Sequence, residues 1–211
     1  MSKETVILVH GLWMNGMDMG LLGRRLRGGG FMTHTFHYHA LKSTPEENAD
    51  TLHGYLQAID APVVHFVCHS LGGLIVRHLL YRYPDCKPGR VVCLGTPHQA
   101  SSAAKTLSRT LPGRCLLGRS IERGLLGGTP PWQYRHELGV IAGNLRLGMG
   151  LLVPGISKPG DGTVAVQETR LEGMTDHIVL PVSHTGLLLS NRVAMQTIYF
   201  LQHGRFQHKD G

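Results

Sequence analysis

The sequence is poor in acidic residues and lacks most features that would take it out of the ordinary globular class. No stretch approaches the ~20 consecutive apolar residues of a membrane-crossing helix, so no integral membrane segment is expected. The opening MSKETVILVHG carries one Lys and passes into a short apolar run with no small-residue cleavage site behind it, which argues against export. Cysteine is scarce: Cys68, Cys86, Cys93 and Cys115 show no CxxC or other metal-ligand spacing, and two lie in apolar runs where a free thiol packs as a small hydrophobe. A reduced, cytoplasmic chain is the expectation. Against 14 Asp and Glu stand 21 Lys and Arg, a formal charge of +7 that invites a nucleic-acid reading. The basic residues are scattered, however, and the densest group, GRRLRGG at Gly23 to Gly29, reads as a solvated helix face. No nucleic-acid partner is expected, and peripheral contact with anionic lipid stays open. There is no internal repeat. With 211 residues, 42% of them hydrophobic, one domain over 1–211 can bury a substantial core.

What is present is alternation. Thr5 to His10, Phe31 to Tyr38, Val63 to Cys68, Arg90 to Leu94, Leu138 to Ala142 and His177 to Leu180 are short, largely apolar runs bounded by Gly and Pro, the pattern of strands. Met17 to Arg27, Pro45 to Ile59, Leu71 to Tyr83 and Thr185 to His203 read as helices. Ser43 or Thr44 can cap the second, with Pro45 in its first turn and Glu46 and Glu47 favourable to the dipole. Gly204 is a natural stop for the last. Apolar strands alternating with helices indicate an α/β protein with a mostly parallel sheet of about six strands, covered by helices on both faces.

In such a sheet, function lies at the carboxyl ends of the strands. VHGLW ends at Trp13 after the first strand, and CHSLGG places Ser70 between the third strand and a helix. A sharp strand-to-helix turn strains its central residue, exposes its hydroxyl and requires small neighbours; Cys68, Gly72 and Gly73 supply them, in a GxSxG pattern with Cys for the first Gly. The plainer alternative is that Ser70 simply caps the helix. A serine nucleophile needs a base, and the base needs a carboxylate to hold its tautomer. Of 14 histidines, His184 directly follows the last strand, and Asp161 lies in the Gly- and Pro-rich loop PGISKPGDGTV after ELGVIAG.

VHGLW, CHSLGG, LGTPHQAS, GDGTV and VSHTGLL, in this order, resemble the α/β-hydrolase superfamily, in particular its small lipase and esterase branch. The resemblance runs from Thr5 to about Leu189 and implies a minimal version of that fold. It also implies that Ser70 is the nucleophile, His184 the general base and Asp161 the acid. The backbone N–H groups of Leu12 and Leu71 would form the oxyanion hole. Cys68 is expected to pack, not to react. The activity implied is hydrolysis of a small-molecule carboxylic ester or lipid through an acyl-enzyme, without cofactor or metal. Alternatives are acyl transfer from the same intermediate, or a catalytically silent chain of this fold that binds a ligand.

Other residues compete for roles. His34, His37 and His39 resemble a metal cluster, but strand geometry divides them between faces. His69 is read as a packed neighbour and His98 as an edge of the site. Asp176 and Glu168 are rival acids: the first begins a strand at the wrong end of the sheet, and the second is further from the strand that feeds the loop. Trp13, Met14 and Met17 are candidates for an apolar acyl side. Residues 101–134 are the least regular stretch: LLGRSIERGLLGGTPPW alternates Leu-rich pieces with Gly and Arg, too broken to read as a helix and too apolar for a solvated loop. Relatives of this kind carry a lid here, and a surface loop packed on the sheet is the alternative.

Overall fold

In a computed structural model, residues 4–87, 89–133, 135–146 and 159–208 are described. Residues 154–158 of the PGISKPGDGTV loop, Tyr134 at the end of the expected lid and Met1 to Lys3 lie outside them. Six strands form one sheet: β1 (Thr5–Val9), β2 (Met32–Phe36), β3 (Val64–His69), β4 (Val91–Leu94), β5 (Leu138–Gly143) and β6 (Asp176–Leu180), in the order β2-β1-β3-β4-β5-β6. Every pairing is parallel. All the carboxyl ends therefore meet at one edge.

The side-chain alternation of a strand divides the core in two. Ile7 and Val9 of β1 point into a layer with Leu52 and Leu56 of α2 (Pro45–Gln57) and Leu74, Ile75 and Leu79 of α3 (Leu71–Arg82). Val6 and Leu8 point the other way, toward Leu22 and Leu26 of α1 (Gly20–Gly28). α2 starts where expected, with Thr44 as the cap: its hydroxyl accepts the Glu47 N–H at 3.1 Å while Glu47 Oε2 accepts the Thr44 N–H at 2.9 Å, a closed capping box.

Three expectations are corrected. The stretch 101–134 is not too broken for helix: it holds α4 (Ser102–Leu107), α5 (Leu111–Leu117) and a 3-10 turn at Gly118–Ile121. Ser101 and Thr110 cap the two helices by accepting the Ala104 and Gly113 N–H groups, so side-chain caps begin helices too short for periodicity to reveal. The last helix is two, α6 (Gly186–Leu189) and α7 (Asn191–His203), because Ser190 adopts an extended backbone and turns its hydroxyl to the Val193 N–H. The first begins with a 3-10 turn at Met17–Met19 ahead of α1. No helix among the described residues is long and apolar enough to cross a membrane.

Candidate active site

Ser70 sits between β3 and α3 with φ 51° and ψ −121°. A non-glycine residue with positive φ carries strain of ~1–3 kcal/mol and persists only where its surroundings over-determine it. Here the Ser70 N–H donates to Leu94 O at 2.9 Å, and Thr96 Oγ1–H donates to Ser70 O at 2.9 Å. The tight turn needs small neighbours for a visible reason. A Cβ on Gly72 would strike the Val9 and His10 carbonyls, and one on Gly73 would lie 2.9 Å from Cys93 Sγ. The Ser70 side chain makes no capping bond to α3, so the helix-cap reading does not describe it. Cys68, two residues earlier, is buried in register with Cys93 of β4, and burial pushes its thiol pKa well up, which keeps it protonated.

His184 follows β6, and its Nδ1 lies 2.7 Å from Asp161 Oδ2. A carboxylate only accepts, so Nδ1 carries a proton toward it, and in the neutral ring Nε2 is the nitrogen with the free lone pair. The same two residues are tied a second time, by the His184 N–H to Asp161 O at 3.0 Å. Asp161 is 1% exposed, and its other oxygen accepts the N–H groups of Thr163 at 2.9 Å and Val164 at 2.7 Å. The loop thus holds the carboxylate before the histidine uses it. Gly95 presses against the pair at φ 59°, where a Cβ would sit 3.0 Å from Asp161 Oδ2 and 3.1 Å from His184 Nδ1.

The rivals for the acid are occupied elsewhere. Asp176 accepts the N–H groups of His177 and Phe206 and contacts His208. Glu168 receives the N–H of Ser102 at 2.8 Å on one oxygen and that of Ala165 at 3.0 Å on the other. His69 is buried beside His184, their ring centroids 4.6 Å apart, and burial lowers its pKa to about 3. It is therefore neutral and donates Nε2–H to His184 O at 3.1 Å. His37 of the histidine-rich segment contacts Asn15 O at 2.7 Å.

Ser70 and His184 line one cavity of about 280 Å³ with Leu12, Trp13 and Met14. Its apolar wall comes from Ala104, Leu107, Leu117 and Leu125, all within the stretch read as irregular. The spacing of Ala103, Ala104 and Leu107 is one helical stripe, a signal little more than one turn long. Met17 stands in solvent at 78% exposure, and His98 is buried, its carbonyl accepting from Arg77 Nη1 at 2.9 Å. The loop after β1 comes close to Ser70: a Cβ on Gly11 would lie 3.1 Å from Ser70 Cβ and 2.9 Å from His69 Nδ1. Tyr38 steadies that loop by donating its hydroxyl to His10 O at 2.7 Å while its ring stacks on the His10 imidazole. Leu71 opens α3, where an N–H has no partner within the helix.

No protein-family model and no curated protein sequence matches the chain. Solved structures do. The mature form of lipase BlEst2 from Bacillus licheniformis superposes with a TM-score of 0.80 at 19% identity, over 96% of this chain and 92% of that one. Carboxylesterase CesB from Bacillus subtilis gives 0.62 at 13% identity, over 96% and 85%. The metagenomic carboxyl esterase MGS0156 gives 0.64 at 16%, over 85% and 64%. With six parallel strands ordered as described and these structural neighbours, the chain has the α/β-hydrolase fold in a minimal form.

Proposed function

We propose that the chain is a serine hydrolase of carboxylic esters. The observation that carries this reading is that a strained Ser70, whose side chain caps no helix, lines the same largely apolar cavity as a His184 whose Nδ1–H is held by Asp161. Ser70 Oγ attacks the ester carbonyl while His184 Nε2 takes its proton. The Leu12 and Leu71 N–H groups receive the oxyanion. The imidazolium, stabilised by Asp161, then protonates the departing alcohol. A water activated by His184 releases the acid and restores the free serine. The apolar wall from α4 and α5 takes the acyl group, and residues 101–134 act as its lid. The fold's likeness to enzymes named as a lipase and carboxylesterases supports the reading, and four unbonded cysteines fit a reducing compartment.

A fluorophosphonate probe tests it. The wild-type chain is expected to be labelled and to hydrolyse p-nitrophenyl butyrate, while Ser70→Ala stays folded and loses both properties, apart from weak residual turnover. Labelling or near-normal hydrolysis in Ser70→Ala would overturn the assignment.

A further inference from the structure

Trp13 combines three features that burial does not explain. Its backbone is at φ 59°, a left-handed conformation that a bulky aromatic residue rarely takes. The residue is 50% exposed, so much of the hydrophobic gain that usually anchors a tryptophan is missing. Its indole N–H nevertheless donates to Leu116 O at 2.8 Å, 103 residues away in sequence. Leu116 lies in the last turn of α5, where a carbonyl lacks a partner within its own helix. Leu117, the next residue, is 2% exposed and lines the Ser70 cavity. The bond therefore joins the loop after β1 to a helix whose position is set by packing at the cavity wall.

We infer that Trp13 is a positioning residue: its hydrogen bond to Leu116 O holds the Leu12 N–H in place beside Ser70, so that α5 sets the geometry of the oxyanion site. The inference rests on the ester-hydrolase reading. Leu12 immediately precedes Trp13, and both line the cavity with Ser70. On the near side the loop is already confined, since Gly11 has no room for a Cβ between His69 and Ser70. On the far side the indole bond is the restraint next to Leu12, with the His37 contact to Asn15 O holding the loop two residues beyond Trp13. An oxyanion donor is effective because it is in place before charge develops, so a loop freed at Trp13 keeps substrate binding and loses turnover.

Two variants isolate the bond. Trp13→Phe keeps an aromatic ring without the donor, and benzothienylalanine at position 13 keeps the bicyclic shape with sulfur in place of N–H. Both are compared with wild type on p-nitrophenyl butyrate after urea unfolding has shown that they fold. The expected result is a fall in kcat of ~10-fold or more, a fraction of the loss typical of deleting a donor outright, with KM changed by less than ~2-fold, and a parallel fall in the rate of phosphonate labelling. An unchanged kcat in both variants would overturn the inference and leave the hydrolase reading standing. A loss confined to KM would do the same, making Trp13 a binding wall. A wild-type chain that neither hydrolyses the ester nor takes the probe overturns both.

Discussion

Asp161 shows how much one side chain is asked to do. Two backbone N–H groups fix one of its oxygens and His184 takes the other. In Asp161→Asn the amide oxygen keeps the turn, which leaves the NH₂ facing His184 Nδ1. The imidazole must then present a lone pair to that nitrogen and carry its proton on Nε2, the tautomer that cannot accept from Ser70. Turnover of a p-nitrophenyl ester is expected to fall by about 10⁴-fold with little change in the urea midpoint. Asp176→Asn weakens contacts to Phe206 and His208 at the far end of β6. It should lower stability by roughly 1 kcal/mol and leave kcat near wild type. A severe turnover loss in Asp176→Asn alone would reverse the assignment. At this scale the sequence was most informative about position: Ser70 and His184 stand just after β3 and β6, the strand ends where they were expected. The indole bond of Trp13 and the Thr96 clasp on Ser70 could not be read there, because each joins segments whose approach exists only after folding.

The elements legible in the sequence are those with enough residues to repeat a period. All six strands and the two longest helices on the α2–α3 face lie within a few residues of their expected bounds. α4 and α5 did not show, since six and seven residues give the hydrophobic stripe less than two full repeats. Their caps were present as Ser101 and Thr110, but serine and threonine are common in loops as well. Two glycines in the α2–α3 layer show how packing decides the sign of a substitution. Gly72→Ala drives a methyl into the carbonyls that end β1, neither of which can yield without opening the sheet. A loss of ~1–3 kcal/mol is expected. Gly54 lies inside α2, is exposed, and has nothing within 4 Å of a Cβ position. Gly54→Ala should therefore raise stability by ~0.5–1 kcal/mol. Urea midpoints of the two variants, measured side by side, are expected to move in opposite directions. A rise in Gly72→Ala would mean that α3 is not docked on β1 as described.

Across the whole molecule, burial keeps a set of histidines uncharged. It lowers the pKa of His10, His65 and His78, takes His177 to about 4 and takes His69 to about 3. In the unfolded chain each returns toward the ordinary 6.5. Between those values the unfolded state binds more protons, so stability is intact above about pH 6.5 and is lost as pH falls toward the folded values, by up to ~1.4 kcal/mol per pH unit for the fully buried His69 and by less for the partly exposed His177. The urea midpoint should drop from about pH 7 to about pH 5, and His177→Gln should flatten the drop. A midpoint that rises on acidification would contradict the burial of these rings. The all-parallel sheet has a further, practical consequence. Thr5 opens β1, and Phe206 is tied to Asp176 at the start of β6. Both ends of the described chain thus leave from the edge opposite Ser70. A bulky tag or a solid support joined at Glu4 or His208, the limits of the described residues, stands at the edge of the sheet away from Ser70, with the cavity left open to the medium.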